Sequence, residues 1–150
     1  MSDDPNKEDL DIDDLNTDDL KNDDLNVDTW LPLPDVAERL GIDVGKVRRL
    51  LQDGRLLAVR QGERRILSVP ERFLVPTAAG GWQIVPPLQG TLVLLHDAGF
   101  TDEAAIRWLF TPDESLAVQA WDPGRVPAPI DALAAGHKTE IRRRAQALAL

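Results

Sequence analysis

The chain has 150 residues, no cysteine or tyrosine, and a formal net charge of -9 with 29% charged residues. That length suits one domain of ordinary size or two small ones sharing a core. The missing cysteines exclude a disulfide framework, a thiolate metal site and a cysteine nucleophile, in keeping with a reducing compartment. No apolar leader opens the sequence, and no apolar run approaches the roughly 18 residues of a membrane span, so the expectation is a soluble, cytoplasmic protein with no membrane partner.

The charge is unevenly divided. Residues 1–29 hold twelve acids against Lys7 and Lys21, a net of -10, so the remaining chain carries +1. Asp13-Asp14-Leu15, Asp18-Asp19-Leu20 and Asp23-Asp24-Leu25 repeat with a period of five, preceded by the looser Glu8-Asp9-Leu10. Five fits neither a helical stripe nor a strand face, and high charge with low hydrophobicity predicts a disordered acidic tail. The glycine and terminal glutamate of a calcium loop are missing, so no metal site is expected. A segment of this length has a root-mean-square reach of roughly 30 Å. Two readings stay open for it: competition with the partner of a basic surface elsewhere in the chain, or a solubility tail.

Trp30 and Leu31 begin the folded part. Pro34 suits the start of a helix, Val36, Ala37 and Leu40 share its apolar stripe, and Gly41 ends it. Asp43 then caps a second helix by accepting from the N-H of Gly45 or Lys46. In that helix Val47, Leu50 and Leu51 face inward by the i, i+3, i+4 rule, which turns Gly45, Lys46, Arg48, Arg49 and Gln52 outward. Gly54 closes it as a left-handed cap. LLAVR and RRILSV flank Gln61-Gly62-Glu63 as a hairpin, and Pro70 ends the second strand. Residues 46–72 carry eight bases and three acids, a net of +5. Helix, turn, basic helix and basic hairpin in this order read as a winged helix-turn-helix, whose second helix enters the major groove of duplex DNA while the wing reaches the backbone. The DNA-binding candidates are therefore Gly45, Lys46, Arg48, Arg49 and Gln52 on the helix and Arg60, Arg64 and Arg65 on the wing. Gly45 is read either as a place of close approach to the DNA backbone or as a tolerated helical glycine.

From Pro70 to Gly90 the sequence mixes proline, glycine and isolated apolar residues and reads as a turn and connecting strands. Leu88–Asp97 is an apolar helix ending near Gly99, and Thr101 caps another, Asp102–Phe110. A loop from Thr111 to Pro129 precedes Ile130–Ala134 and a last helix from about His137, with Ile141, Ala145 and Leu148 inward and Arg142, Arg143 and Arg144 outward. His96 and His137 show no cysteine or acidic partner and read as structural or surface residues. Trp108 and Phe110 read as core. No nucleophile with a base, phosphate-cradling loop or metal-ligand cluster stands out, so neither an enzyme nor a cofactor is expected.

These residues carry a resemblance. LPDVAERLGIDVGKVRRLLQDGRLLAVR, LLHDAGFTDEAAIRWLFTPDESL and PIDALAAGHKTEIRRRAQALA resemble the small actinobacterial winged helix-turn-helix DNA-binding proteins that are substrates of a Ser/Thr protein kinase, from about Leu33 to Leu150. The resemblance implies DNA binding by the first module, a family-specific helical C-terminal domain, a kinase partner, and a phosphorylation candidate at Thr17 or Thr29. WLFTPDESL with the ALAAG helix start resembles, less closely, the partner-binding domain of antitoxins. The alternative function is accordingly an antitoxin-like interaction module whose C-terminal domain holds a protein partner. The fold expected is mainly α: an acidic disordered tail over 1–29, a winged helix-turn-helix over 30–75 and a helical domain over 76–150. The function expected is DNA binding in transcription regulation.

Overall fold

The computed structural model describes residues 25–116 and 124–149. Its first helix, α1, spans Leu33–Leu40 and buries Leu33, Val36 and Ala37. Gly41 stops it in the left-handed region (φ 70°), where the Gly41 and Ile42 N-H groups turn back to the Glu38 and Ala37 carbonyls. Helix α2, Val44–Gln52, starts at the expected cap: the Asp43 carboxylate accepts from the Lys46 N-H at 2.9 Å. Of its apolar stripe Val47 is fully buried, while Leu50 and Leu51 are partly buried against the core.

A three-stranded sheet frames these helices, in the order β1-β3-β2: β1 is Trp30–Pro32, β2 Val59–Gln61 and β3 Ile66–Pro70. Strand β1 was not expected. It is three residues long and contains a proline, and only its antiparallel partner β3 makes it a strand, pairing Leu31 with Val69. The hairpin also differs from expectation. Arg60 pairs with Leu67 and Gln61 with Ile66, so the turn runs from Gly62 to Arg65 and not over 61–63. The Arg65 N-H donates to the Gly62 carbonyl at 3.1 Å, and positive φ at both Gly62 (77°) and Arg65 (53°) closes the turn. Leu56 and Leu57, expected in the first strand, precede it and are buried.

After β3 a 3-10 turn, Glu71–Phe73, leads into a second hairpin, β4 Leu74–Pro76 with β5 Trp82–Ile84. The connection therefore holds two paired strands. Helices α3, Leu88–Asp97, and α4, Asp102–Phe110, have the expected bounds, and Thr101 caps α4 by accepting from the Ala104 N-H at 3.2 Å. Helix α5 is Pro129–Ala134 and α6 Lys138–Ala147. Leu148, expected inward, lies past the end of α6 and is exposed. Arg144, expected outward, turns onto Glu140 (2.6 Å), Asp113 (3.1 Å) and Ser115 (2.9 Å). Ser115 holds the Asp113 carboxyl below its ordinary pKa by donating both its hydroxyl and its N-H, and Arg144 adds to the effect.

One apolar cluster runs through all of this, from Leu25 to Ala145. Leu25 is fully buried and Val27 packs on the core, so residues 25–29 belong to the fold and not to the tail in which they were expected. Residues 1–24, including the rest of the acidic repeat, lie outside the described residues. Phe73 of the first module meets Phe110 of α4 at 5.5 Å between ring centres. Beside them Arg72 forms a buried ion pair with Asp131, whose other oxygen accepts from the Ala128 N-H at 2.8 Å and so caps α5. Burial, with Arg125 nearby, lowers the Arg72 pKa to about 10, which leaves it charged at neutral pH.

Two outcomes follow from this shared core. Leu25→Ala is expected to cost about 2–5 kcal/mol in denaturant unfolding, the range for a leucine truncated in a packed interior. A fragment ending at Phe73 is expected to melt broadly and well below the full chain, because roughly 50 residues bury too little surface alone. A sharp melt at the parent temperature would show an independent module.

Candidate nucleic-acid interface

The outward face of α2 follows from what it buries. With Val47 against the core, Gly45, Lys46, Arg48 and Arg49 are all exposed. Gly45 has a local reason beyond the two considered from sequence. A Cβ there would lie 3.1 Å from the Asp43 carboxylate oxygen that caps the helix, so the missing side chain leaves room for the cap.

The turn of the wing decides where the other cations go. Because Arg64 and Arg65 sit in the turn, they close over one side of the hairpin, and the structure brings Arg48 of α2 together with Arg60, Arg64 and Arg65 of the wing. These four arginines line one concavity of about 380 Å³, whose apolar part includes Pro34 and Ile66. Ile66 is 45% exposed, a residue of this face that the sequence pattern hides because strand alternation counts it as part of the sheet. Arg60 also steadies the turn, donating to the Arg65 carbonyl at 3.0 Å. The start of α1 opens on the same concavity through Leu33 and Pro34, and its N-cap residue Pro32 supplies no side-chain acceptor. Asp35, in the first turn of α1, already sets a negative charge against that positive end.

Other candidates are placed apart. Gln52 lines a second concavity, of about 410 Å³, with Asp53, His96 and Asp102. His96 has an acidic partner after all: Asp102 lies 3.1 Å from its Nε2, across the turn between α3 and α4. Arg72, counted with the basic surface from sequence, is spent in the ion pair with Asp131. Thr29 is exposed, and its carbonyl accepts from the Glu71 N-H at 2.9 Å; Thr17 lies outside the described residues. Among the described residues no three metal-ligating side chains gather. No helix there is long and apolar enough to cross a membrane.

Comparison with known proteins identifies the fold. Residues 17–74 match a family model described as DNA-binding protein Rv2175c, wHTH domain, and residues 85–149 match one described as Rv2175c C-terminal domain of unknown function. A relative, DNA-binding protein Rv2175c of Mycobacterium tuberculosis (strain ATCC 25618 / H37Rv), is 43% identical over 120 residues, which is 78% of each chain. This chain belongs to the Rv2175c family. The NMR structure of Rv2175c superposes with a TM-score of 0.68 at 42% identity, covering 81% of this chain and 82% of that one. The Rv2175c wHTH match begins at Thr17, earlier than the resemblance placed at Leu33, and so takes in the last two copies of the acidic repeat.

The cap and its glycine give a paired test. Asp43→Ala is expected to lower stability by about 0.5–2 kcal/mol, the usual cost of removing a cap. Gly45→Ala gains about 1 kcal/mol of helix propensity but crowds the cap oxygen. It is expected to be more favourable when Asp43 is already alanine, a coupling that a double-mutant cycle measures directly.

Proposed function

We propose that this protein binds duplex DNA through the face formed by α2 and the wing, and that it acts as a transcriptional regulator in the cytoplasm. The convergence of Arg48, Arg60, Arg64 and Arg65 on one concavity carries this reading. Four guanidiniums on one surface provide donors and positive potential for phosphate oxygens, which no apolar or neutral ligand would need. The relative's printed name, DNA-binding protein Rv2175c, supports the same partner.

In this reading the first turns of α2 lie in the major groove. Lys46, Arg48 and Arg49 reach base edges, where an arginine pairs with guanine O6 and N7. Gln52, exposed one turn after Arg48 on the same face, is a further candidate for a base edge, where glutamine pairs with adenine. Arg60, Arg64 and Arg65 fix register on phosphate. The mechanism is binding and not catalysis. A Ser/Thr protein kinase is a proposed partner, through the family resemblance, with Thr17 or Thr29 as acceptor.

The two groups of arginines are expected to differ under titration. Arg49→Ala should cost about 1–3 kcal/mol on a selected site and relax specificity at one base pair. Arg64→Ala should weaken every sequence alike and lower the salt slope by about one for each phosphate that the side chain had neutralised. Selection from a random duplex library, then binding at several salt concentrations, checks both. If neither substitution changes affinity, the docking surface lies elsewhere.

A further inference from the structure

The last helix sorts its cations into two kinds. Arg143 and Arg144 pair with Glu140, whose carboxyl they hold below its ordinary pKa. Lys138 and Arg142, one turn apart, instead face a groove of about 530 Å³ between α3 and α6, with no acid among its described lining residues. Pro86, Val93 and Leu94 supply its apolar part, and Val93 is 50% exposed. The start of α3, at Gln89 and Gly90, lines the same groove with no side-chain cap and no acid in its first turn. Two cations and a helix N-terminus thus act on a partly apolar groove with no acid among its described lining residues.

We propose that this groove binds the chain's own Asp-Asp-Leu repeats, each leucine seated against Val93 and Leu94 and the aspartates set on Lys138 and Arg142. The fold shows how such a leucine is used: Leu25, last of the Asp-Asp-Leu series, is fully buried in the core. Leu20 and Leu15 stand five and ten residues before that anchor. Ten residues of extended chain span about 33–36 Å, more than twice the roughly 14 Å radius of gyration of a domain this size. That length is comparable with the width of the domain, so under this proposal the groove lies within reach of Leu15 in cis. The four-arginine concavity is the rival seat for the tail, but duplex DNA, with one charge per about 1.7 Å, outcompetes a peptide bearing two acids per repeat there. The α3–α6 groove has no such competitor in the proposed function. It gives the C-terminal domain a ligand of defined chemistry, an acidic peptide with a regularly spaced leucine.

The absence of native cysteine makes the test direct. A single cysteine introduced as Asn16→Cys carries a spin label in the full chain held in excess duplex DNA, which occupies the rival concavity, and amide signals are read by NMR. Loss of intensity is expected at Gly90, Val93, Leu94, Lys138 and Arg142, and is expected to recover near 1 M salt, where the Debye length falls to about 3 Å. It should also recover in Lys138→Glu/Arg142→Glu. A second variant, Leu15→Ser/Leu20→Ser, alters only the tail and should release the groove without disturbing the folded residues. Intensity loss at Arg48, Arg60, Arg64 and Arg65 instead, loss seen only when labelled and unlabelled chains are mixed, or loss nowhere would each overturn the proposal.

Discussion

A guanidinium taken out of water has to be paired, and Arg72 meets that requirement through Asp131. The pair ties the turn just after the central strand β3 to the start of α5, since the same aspartate caps that helix. Breaking either partner would strand a buried charge, which costs several kcal/mol, so the contact fixes one arrangement of the two halves more than it adds stability. Phe73 against Phe110 supplies the apolar side of the join. Asp28 with Arg125, at 2.7 Å, extends it toward the surface. Through β3 this join also reaches the wing, because the strand that ends at Pro70 is the one that carries the turn arginines at its other end.

The wing shows how little backbone geometry is needed to gather charge. A turn spanning Gly62 to Arg65 moves two arginines out of the ladder and over one face of the hairpin. A turn one or two residues shorter would have put Arg64 and Arg65 on opposite faces of a strand, since successive side chains alternate. Arg65 occupies the left-handed region, which is uncommon for a residue with a side chain; the ring formed by its N-H to Gly62 and by Arg60 to its carbonyl supports it there.

Other cations are held by local partners. Arg39 pairs with Glu71 at 2.8 Å and lies over the Trp82 ring, and Arg144 holds the 113–115 segment against α6. Two groups of cations line concavities: four arginines around the wing, and Lys138 with Arg142 beside α3. Net charge alone, at -9, shows neither group.

The sequence by itself determined the helices and their ends. Gly41, Asp43, Gly54, Thr101 and the apolar spacing act within a few residues, so α1 to α4 and the outward face of α2 were legible without a structure. The family resemblance was legible too, because its motifs lie in those same helices. Only the tertiary structure decided what depends on partners distant in the chain. Strand β1 exists because β3 lies beside it; Leu25 belongs to the core although its neighbours in sequence are aspartates; Arg72 and Arg144 are ion-pair residues although they sit in basic runs. His96 gained Asp102 across the turn between α3 and α4. Local signals record what a residue does to its own turn of backbone, whereas burial and charge pairing are set by whichever segment the fold brings opposite.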